Sequence, residues 1–243
     1  MPTLAPFHKA AFHLFLLPLA LGWLGCVQQP SSPPPSPPEE KALLSGSHQL
    51  SFEGRRSGEG YFSRDGKQLI FQSEREPGNP FYQIYTLDLE NGMSELISPG
   101  VGKSTCGFFH PGGRLALFSS TYLDPEATEK QQAEIELRAE GTPRRYAWDY
   151  DEHYDIFSTA IDQPGDMTPK RLTRETGYDA EAAWSPNGRK IVFASNRHAY
   201  TDNAKVDKKL LAQDPSRYID LYIMDASGRN VRRLTESEGY DGG

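Results

Sequence analysis

An all-β fold is what this 243-residue sequence predicts, and three observations predict it. A block made of an aromatic, a polar residue, a glycine turn and a short apolar run occurs three times. A second block, a strand followed by a glycine turn and a basic-apolar-hydroxyl closer, accompanies each copy. The spacing from each closer to the next turn is constant at 12 residues. The composition agrees: Gly numbers 22 and Pro 19, many for a helical protein, and an aromatic share of 11% argues against a disordered chain. A net charge of -7 argues against a basic nucleic-acid binder. Two cysteines exclude both a disulfide scaffold and a four-cysteine zinc site.

Residues 1–25 read as a targeting segment. Lys9 precedes an apolar run that His13 and Pro18 interrupt, too short and broken for a membrane-spanning helix. The run ends at Leu24-Gly25-Cys26, which resembles the lipobox of bacterial lipoproteins, although Trp23 stands where that family has an aliphatic residue. The resemblance implies that Cys26 carries acyl chains, and Val27 after it resembles an outer-membrane sorting signal. A plain secretory signal with Cys26 as a bystander is the alternative. Residues 26–47 follow as a tether: 6 of the 19 prolines fall within 28–40, where neither ladder nor helix can form.

The domain proper is expected over residues 48–243. Its opening blocks are Tyr61-Phe62-Ser63-Arg64-Asp65-Gly66, Phe108-Phe109-His110-Pro111-Gly112-Gly113 and Ala183-Trp184-Ser185-Pro186-Asn187-Gly188. The pairs Asp65-Gly66, Gly112-Gly113 and Asn187-Gly188 suit tight hairpins because they tolerate positive φ. The apolar runs that follow predict strands covered on both faces. Strands starting at Gln83, Asp155 and Asp220 come next, with closers ending at Ser98, Thr173 and Thr235. Residues 49–51 read as one more closer, since Ser51 to Ser63 is again 12 residues. Four strands per unit, radially stacked, make a β-propeller. A sandwich would not require a constant return. The count is three blades plus an N-terminal closing strand, an incomplete ring, so the chain is expected to be partial.

These blocks resemble the repeat of TolB-like propellers, whose pattern is aromatic-Ser-Pro-Asp-Gly-Lys, an apolar strand, Ile-Tyr-x-Met-Asp, then Arg-Leu-Thr. The match is best from Trp184 to Thr235 and weakest in the second unit, where His110 and Gly112 replace Ser and Asp. The resemblance implies a non-catalytic, periplasm-facing lipoprotein that binds a protein or envelope component. A peptidoglycan-associated lipoprotein at the channel mouth is the partner it suggests. TolB carries an α/β domain where this chain has a Pro-rich tether. Two other functions stay open: the substrate-gating half of an envelope peptidase with its catalytic domain beyond Gly243, and a ligand or glycan sensor.

Alternating strand direction puts the loops between second and third strands at the same end as the links between blades. Two insertions, about 121–154 and 198–218, fall there, and both have centres rich in helix formers. Glu59, Asp179, Glu181 and Asp241 should gather as an acidic rim that takes a cation or a basic partner segment. Glu59 and Glu181 each stand eight residues after a closer, Asp179 and Asp241 six. Such repeated positions also suit capping of backbone groups. The stretch Trp148, Asp149, Tyr150, Asp151, Glu152, His153 could offer oxygen ligands to Ca²⁺, but neighbours in an extended segment point to opposite sides, which favours a solvated, partner-facing loop. No other cofactor or metal is expected. Gly100-Val101-Gly102-Lys103-Ser104 lacks the upstream glycine and following helix of a phosphate loop, and no hydrolase elbow or zinc-peptidase motif occurs. Cys106 is expected to be structural.

Overall fold

The computed structural model describes residues 44–141, 149–162 and 168–242. Residues 44–49 form neither helix nor strand. From residue 50 on, the chain builds three antiparallel four-stranded sheets, each a simple meander in chain order. Blade 1 contains β1 (Arg56–Phe62), β2 (Gln68–Glu74), β3 (Gln83–Asp88) and β4 (Ser94–Leu96). Blade 2 contains β5 (Ser104–Phe109), β6 (Leu115–Ser120), β7 (Asp155–Ala160) and β8 (Lys170–Arg171). Blade 3 contains β9 (Asp179–Trp184), β10 (Lys190–Ser195), β11 (Asp220–Asp225) and β12 (Arg232–Arg233). This is the predicted propeller architecture with three blades. The expected closer at residues 49–51 is not a strand: no neighbouring strand pairs with it among the described residues, and a strand needs a ladder partner.

Each part of the repeat has a physical task. The turn hydroxyls of Ser63 and Ser185 accept from the N–H of Gln68 and Lys190, both at 2.9 Å, and donate to Asp65 and Asn187. The closer hydroxyls accept the second N–H of the third strand: Ile84 to Ser98 at 3.0 Å, Ile156 to Thr173 at 2.9 Å and Leu221 to Thr235 at 3.0 Å. The same hydroxyls donate to Gln83, Asp155 and Asp220. So the hydroxyl closers satisfy buried groups that would otherwise be orphaned.

Alternation along β2, β6 and β10 sends one residue to the next blade and the following one to the previous blade. Ile70 and Ile84 pack with Phe118 and Phe157 between blades 1 and 2. Leu117 and Ile156 pack with Phe193 and Tyr222 between blades 2 and 3. The facing pairs Phe71–Tyr85, Phe118–Phe157 and Phe193–Tyr222 are cross-strand neighbours with ring centroids 5.9, 5.8 and 5.6 Å apart. Arg75 and Arg197 lie over the first and third pairs, each 12 residues after the turn serine.

Both insertions contain helices, as predicted. α1 (Ala127–Ala139) lies in the first and docks through polar contacts: Arg138 bonds Glu74 at 2.6 Å and the Pro80 carbonyl at 2.8 Å. α2 (Lys208–Gln213) lies in the second and starts where Asp207 caps the N–H groups of Lys209 and Leu210. Among the described residues, no helix is long and apolar enough to cross a membrane.

Candidate functional site

The first strand of every blade carries the same irregularity. Ladder register shifts between Gly58 and Tyr61 on β1 and between Thr105 and Phe108 on β5, and β9 slips at the matching place against β10. One residue in each bulge has left-handed backbone: Glu59 at φ 44°, Cys106 at 55° and Glu181 at 57°. Side chains other than glycine seldom adopt this region, and bulges re-aim a side chain beside functional sites. All three stand eight residues after a closer, Cys106 following Ser98.

The bulges turn these three side chains into one place. Sγ of Cys106 is 3.7 Å from Oε2 of Glu59. The three residues line two cavities in common, one of about 460 Å³ and one of about 170 Å³. Around the larger one stand Tyr82, Tyr154, Tyr178 and Tyr240, with Ser216 contributed by the second insertion. The Tyr240 hydroxyl donates to Glu181 at 2.6 Å, and the Tyr178 hydroxyl at 3.3 Å. Burial raises the pKa of Glu59; a bond from Cys106 opposes this, and the charge of Glu181 adds to it. Water reaches Glu59, but the concave wall around it leaves its hydration incomplete. Burial also pushes the Cys106 thiol well up, and Glu59 pushes it further. A nucleophilic cysteine needs the opposite shift.

The expected four-carboxylate rim is therefore corrected to two. Asp179 is fully buried, takes a 2.6 Å bond from Ser195 and is ion-paired with Arg197. Asp241 accepts from Ser237 at 2.5 Å within its own loop and does not line the cavity. The six-residue position ties blades together instead. The N–H groups of Ser104, Asp179 and Asp241 donate to the carbonyls of Tyr82, Tyr154 and Ile219 of the preceding blade.

The insertion loop divides in the same way. Trp148 lies outside the described residues, as does Cys26. Asp149 lines the cavity and pairs with Arg56 at 3.6 Å. Asp151 points away to Lys130 at 3.0 Å and Lys103 at 3.3 Å. Glu152 takes the Gly177 N–H on its backbone carbonyl, and His153 Nδ1 is 3.2 Å from Asp151. Asp124, Asp151 and His153 bring possible ligand atoms within 4.8 Å of one another. Lys130 sits among them, 2.7 Å from Asp124. Burial alone would raise the Asp151 pKa, but the two lysines outweigh it and hold it low. The ammonium of Lys130 thus fills the place a Ca²⁺ would need.

No protein-family model matches the sequence. Among solved structures, the chain is similar to a TolB-type structure from Agrobacterium tumefaciens, with a TM-score of 0.51 at 20% identity over 79% of this chain. The fold is that of a TolB-like β-propeller. TolB from Acinetobacter baumannii is similar at a TM-score of 0.47 and 18% identity over 77% of this chain. The chain spans 53% of the Agrobacterium protein's length and 34% of the Acinetobacter protein's. At 20% identity the likeness to the Agrobacterium structure establishes the fold alone.

Proposed function

We propose that this TolB-like chain is a non-catalytic binding module that works outside the cytoplasm and takes a protein or envelope component at the mouth of its channel. A lipid on Cys26 and the Pro-rich tether hold the propeller at the membrane. The observation that carries the reading is the cavity of about 460 Å³ formed where three blades present the same bulge residue. Glu59, Gln72, Cys106 and Glu181 reach it from strands, so that part of its wall is preorganised for recognition. The shifted thiol of Cys106 supports binding over catalysis. By resemblance, a peptidoglycan-associated lipoprotein is the first partner to test.

The test is site-specific photo-cross-linking in intact cells. A cross-linker at Ser216 stands at the cavity, and one at Arg64 stands in the first-to-second-strand turn at the other end of the blade. Ser216 is expected to trap one discrete partner and Arg64 none. Equal trapping from both positions, or from neither, overturns the reading. Replacing Cys26 by Ala should release the protein from the membrane fraction; retention would refute the lipid anchor.

A further inference from the structure

Three carboxylates, those of Glu59, Asp149 and Glu181, line the mouth, and this charge selects a class of ligand. Glu59 and Glu181 supply two carboxylates to the same space, where the charge of Glu181 disfavours the ionised form of Glu59. The cations nearby already have partners, Arg56 pairing with the cavity-lining Asp149 at 3.6 Å. Lys103 bonds the Tyr150 carbonyl at 3.2 Å and Asp151 at 3.3 Å. Arg56 bonds Glu74 at 2.7 Å.

A second observation is independent of the carboxylates. Tyr154 lines the larger cavity and is only 3% exposed, yet its hydroxyl makes no hydrogen bond among the described residues. A phenol whose ring is buried ordinarily still finds a partner for its hydroxyl. Here the neighbouring rings leave it facing the cavity, with Tyr178 edge-on at 5.3 Å. Gln72 presents its carboxamide to the same space while its Oε1 is occupied by Thr105 at 2.7 Å.

The geometry points to a protonated primary amine, the ammonium of a lysine side chain or a chain terminus, as the group this cavity takes. An ammonium donates up to three bonds and accepts none. It would relieve the repulsion between Glu59 and Glu181 and engage the Tyr154 hydroxyl as an acceptor. Its methylene stem would lie against the tyrosine faces, whose quadrupoles attract cations. A neutral apolar chain of the same length would bring no counter-charge to these carboxylates. This inference rests on the binding reading above and names the chemistry by which the partner is held.

The test titrates the intact chain with n-hexylamine hydrochloride, and with 1-hexanol as the neutral control, by isothermal titration calorimetry. One hexylammonium per chain is expected, with hexanol weaker by about tenfold or more, the size of one charge-assisted hydrogen bond. Glu59→Gln and Glu181→Gln should each weaken the amine about as much. Tyr154→Phe, which keeps the ring, should weaken it by a smaller factor. Unaltered thermal melting of the variants shows that the fold is intact. Hexanol binding as tightly as the amine, or amine affinity unmoved by all three substitutions, overturns the proposal. If the amine fails to bind while Ser216 still traps a partner, the ligand chemistry is wrong and the binding reading stands. Amine binding without any trapped partner separates the two the other way.

Discussion

Cys106 and Glu59 are 47 residues apart in sequence, and their side chains meet at 3.7 Å. Forty-seven residues is also the distance from Ser63 to His110, one repeat. The contact is thus a residue meeting its own counterpart from the next blade. Burial raises the Cys106 thiol first and the Glu59 carboxylate raises it further. Removing that charge with Glu59→Gln should lower the thiol pKa and speed alkylation by iodoacetamide at mildly alkaline pH several-fold. Peptide mapping by mass spectrometry reads this at Cys106 alone. An unchanged rate would place Glu59 away from the sulfur.

Asp179 and Asp241 occupy one repeat position but differ in surroundings. Asp179 is fully buried against Arg197, which also lies over Phe193 and Tyr222. Arg197→Ala leaves a buried carboxylate without its counter-charge and should cost about 3–5 kcal/mol in urea unfolding. Asp241→Asn should leave the urea midpoint essentially unmoved. Similar costs for both would contradict the division between interior and loop.

The closer hydroxyls make a separate prediction. Thr173→Val removes the acceptor of the Ile156 N–H and a donor to Asp155, both buried. The expected cost is about 1–3 kcal/mol, largely restored by Thr173→Ser. A serine variant as unstable as the valine one would assign the loss to packing instead.

Gly107 follows the left-handed Cys106 and faces Ile70 and Ile84 of blade 1. A Cβ there would stand 2.8 Å from Ile84 and 2.9 Å from Ile70. Gly107→Ala should destabilise by about 1–3 kcal/mol through overpacking. Gly113→Ala meets open space but holds φ 74°, so its cost should stay near 1 kcal/mol. Calorimetric melting of the two variants ranks them.

Much of the fold was legible because blade contacts repeat. The glycine turns, the hydroxyl closers and the 12-residue return each reflect a hydrogen bond made in every blade, so pattern and structure coincide. The helices of both insertions were legible from composition, and α2 begins later than composition suggests because Asp207 supplies the cap. The site was legible only in part. Offset eight identified Glu59 and Glu181, and the same offset contains Cys106, whose different chemistry hid its equivalence. Offset six gave no warning that Asp179 turns inward, since Arg197 comes from a loop 18 residues away. Tyr154 carries no motif, while Tyr240 repeats Tyr178 at five residues after the closer; packing alone shows that they reach the mouth.

The central claim is that equivalent bulges bring Glu59 and Glu181 into one shared electrostatic site. Carbon-13 NMR titration of the Glu59 carboxyl in the intact chain, with and without Glu181→Gln, tests it most directly. The account predicts a Glu59 pKa above its ordinary value of 4.5, because burial and Glu181 both disfavour the charge. It predicts a drop in the Glu181→Gln protein. The sign for stability follows: a carboxyl raised on folding adds stability below its unfolded pKa and loses it as pH rises through the folded value. Glu59→Gln should therefore be more stable than the parent at neutral pH, with the gap closing below about pH 4. A Glu59 that titrates at its ordinary value and ignores Glu181→Gln would contradict the account.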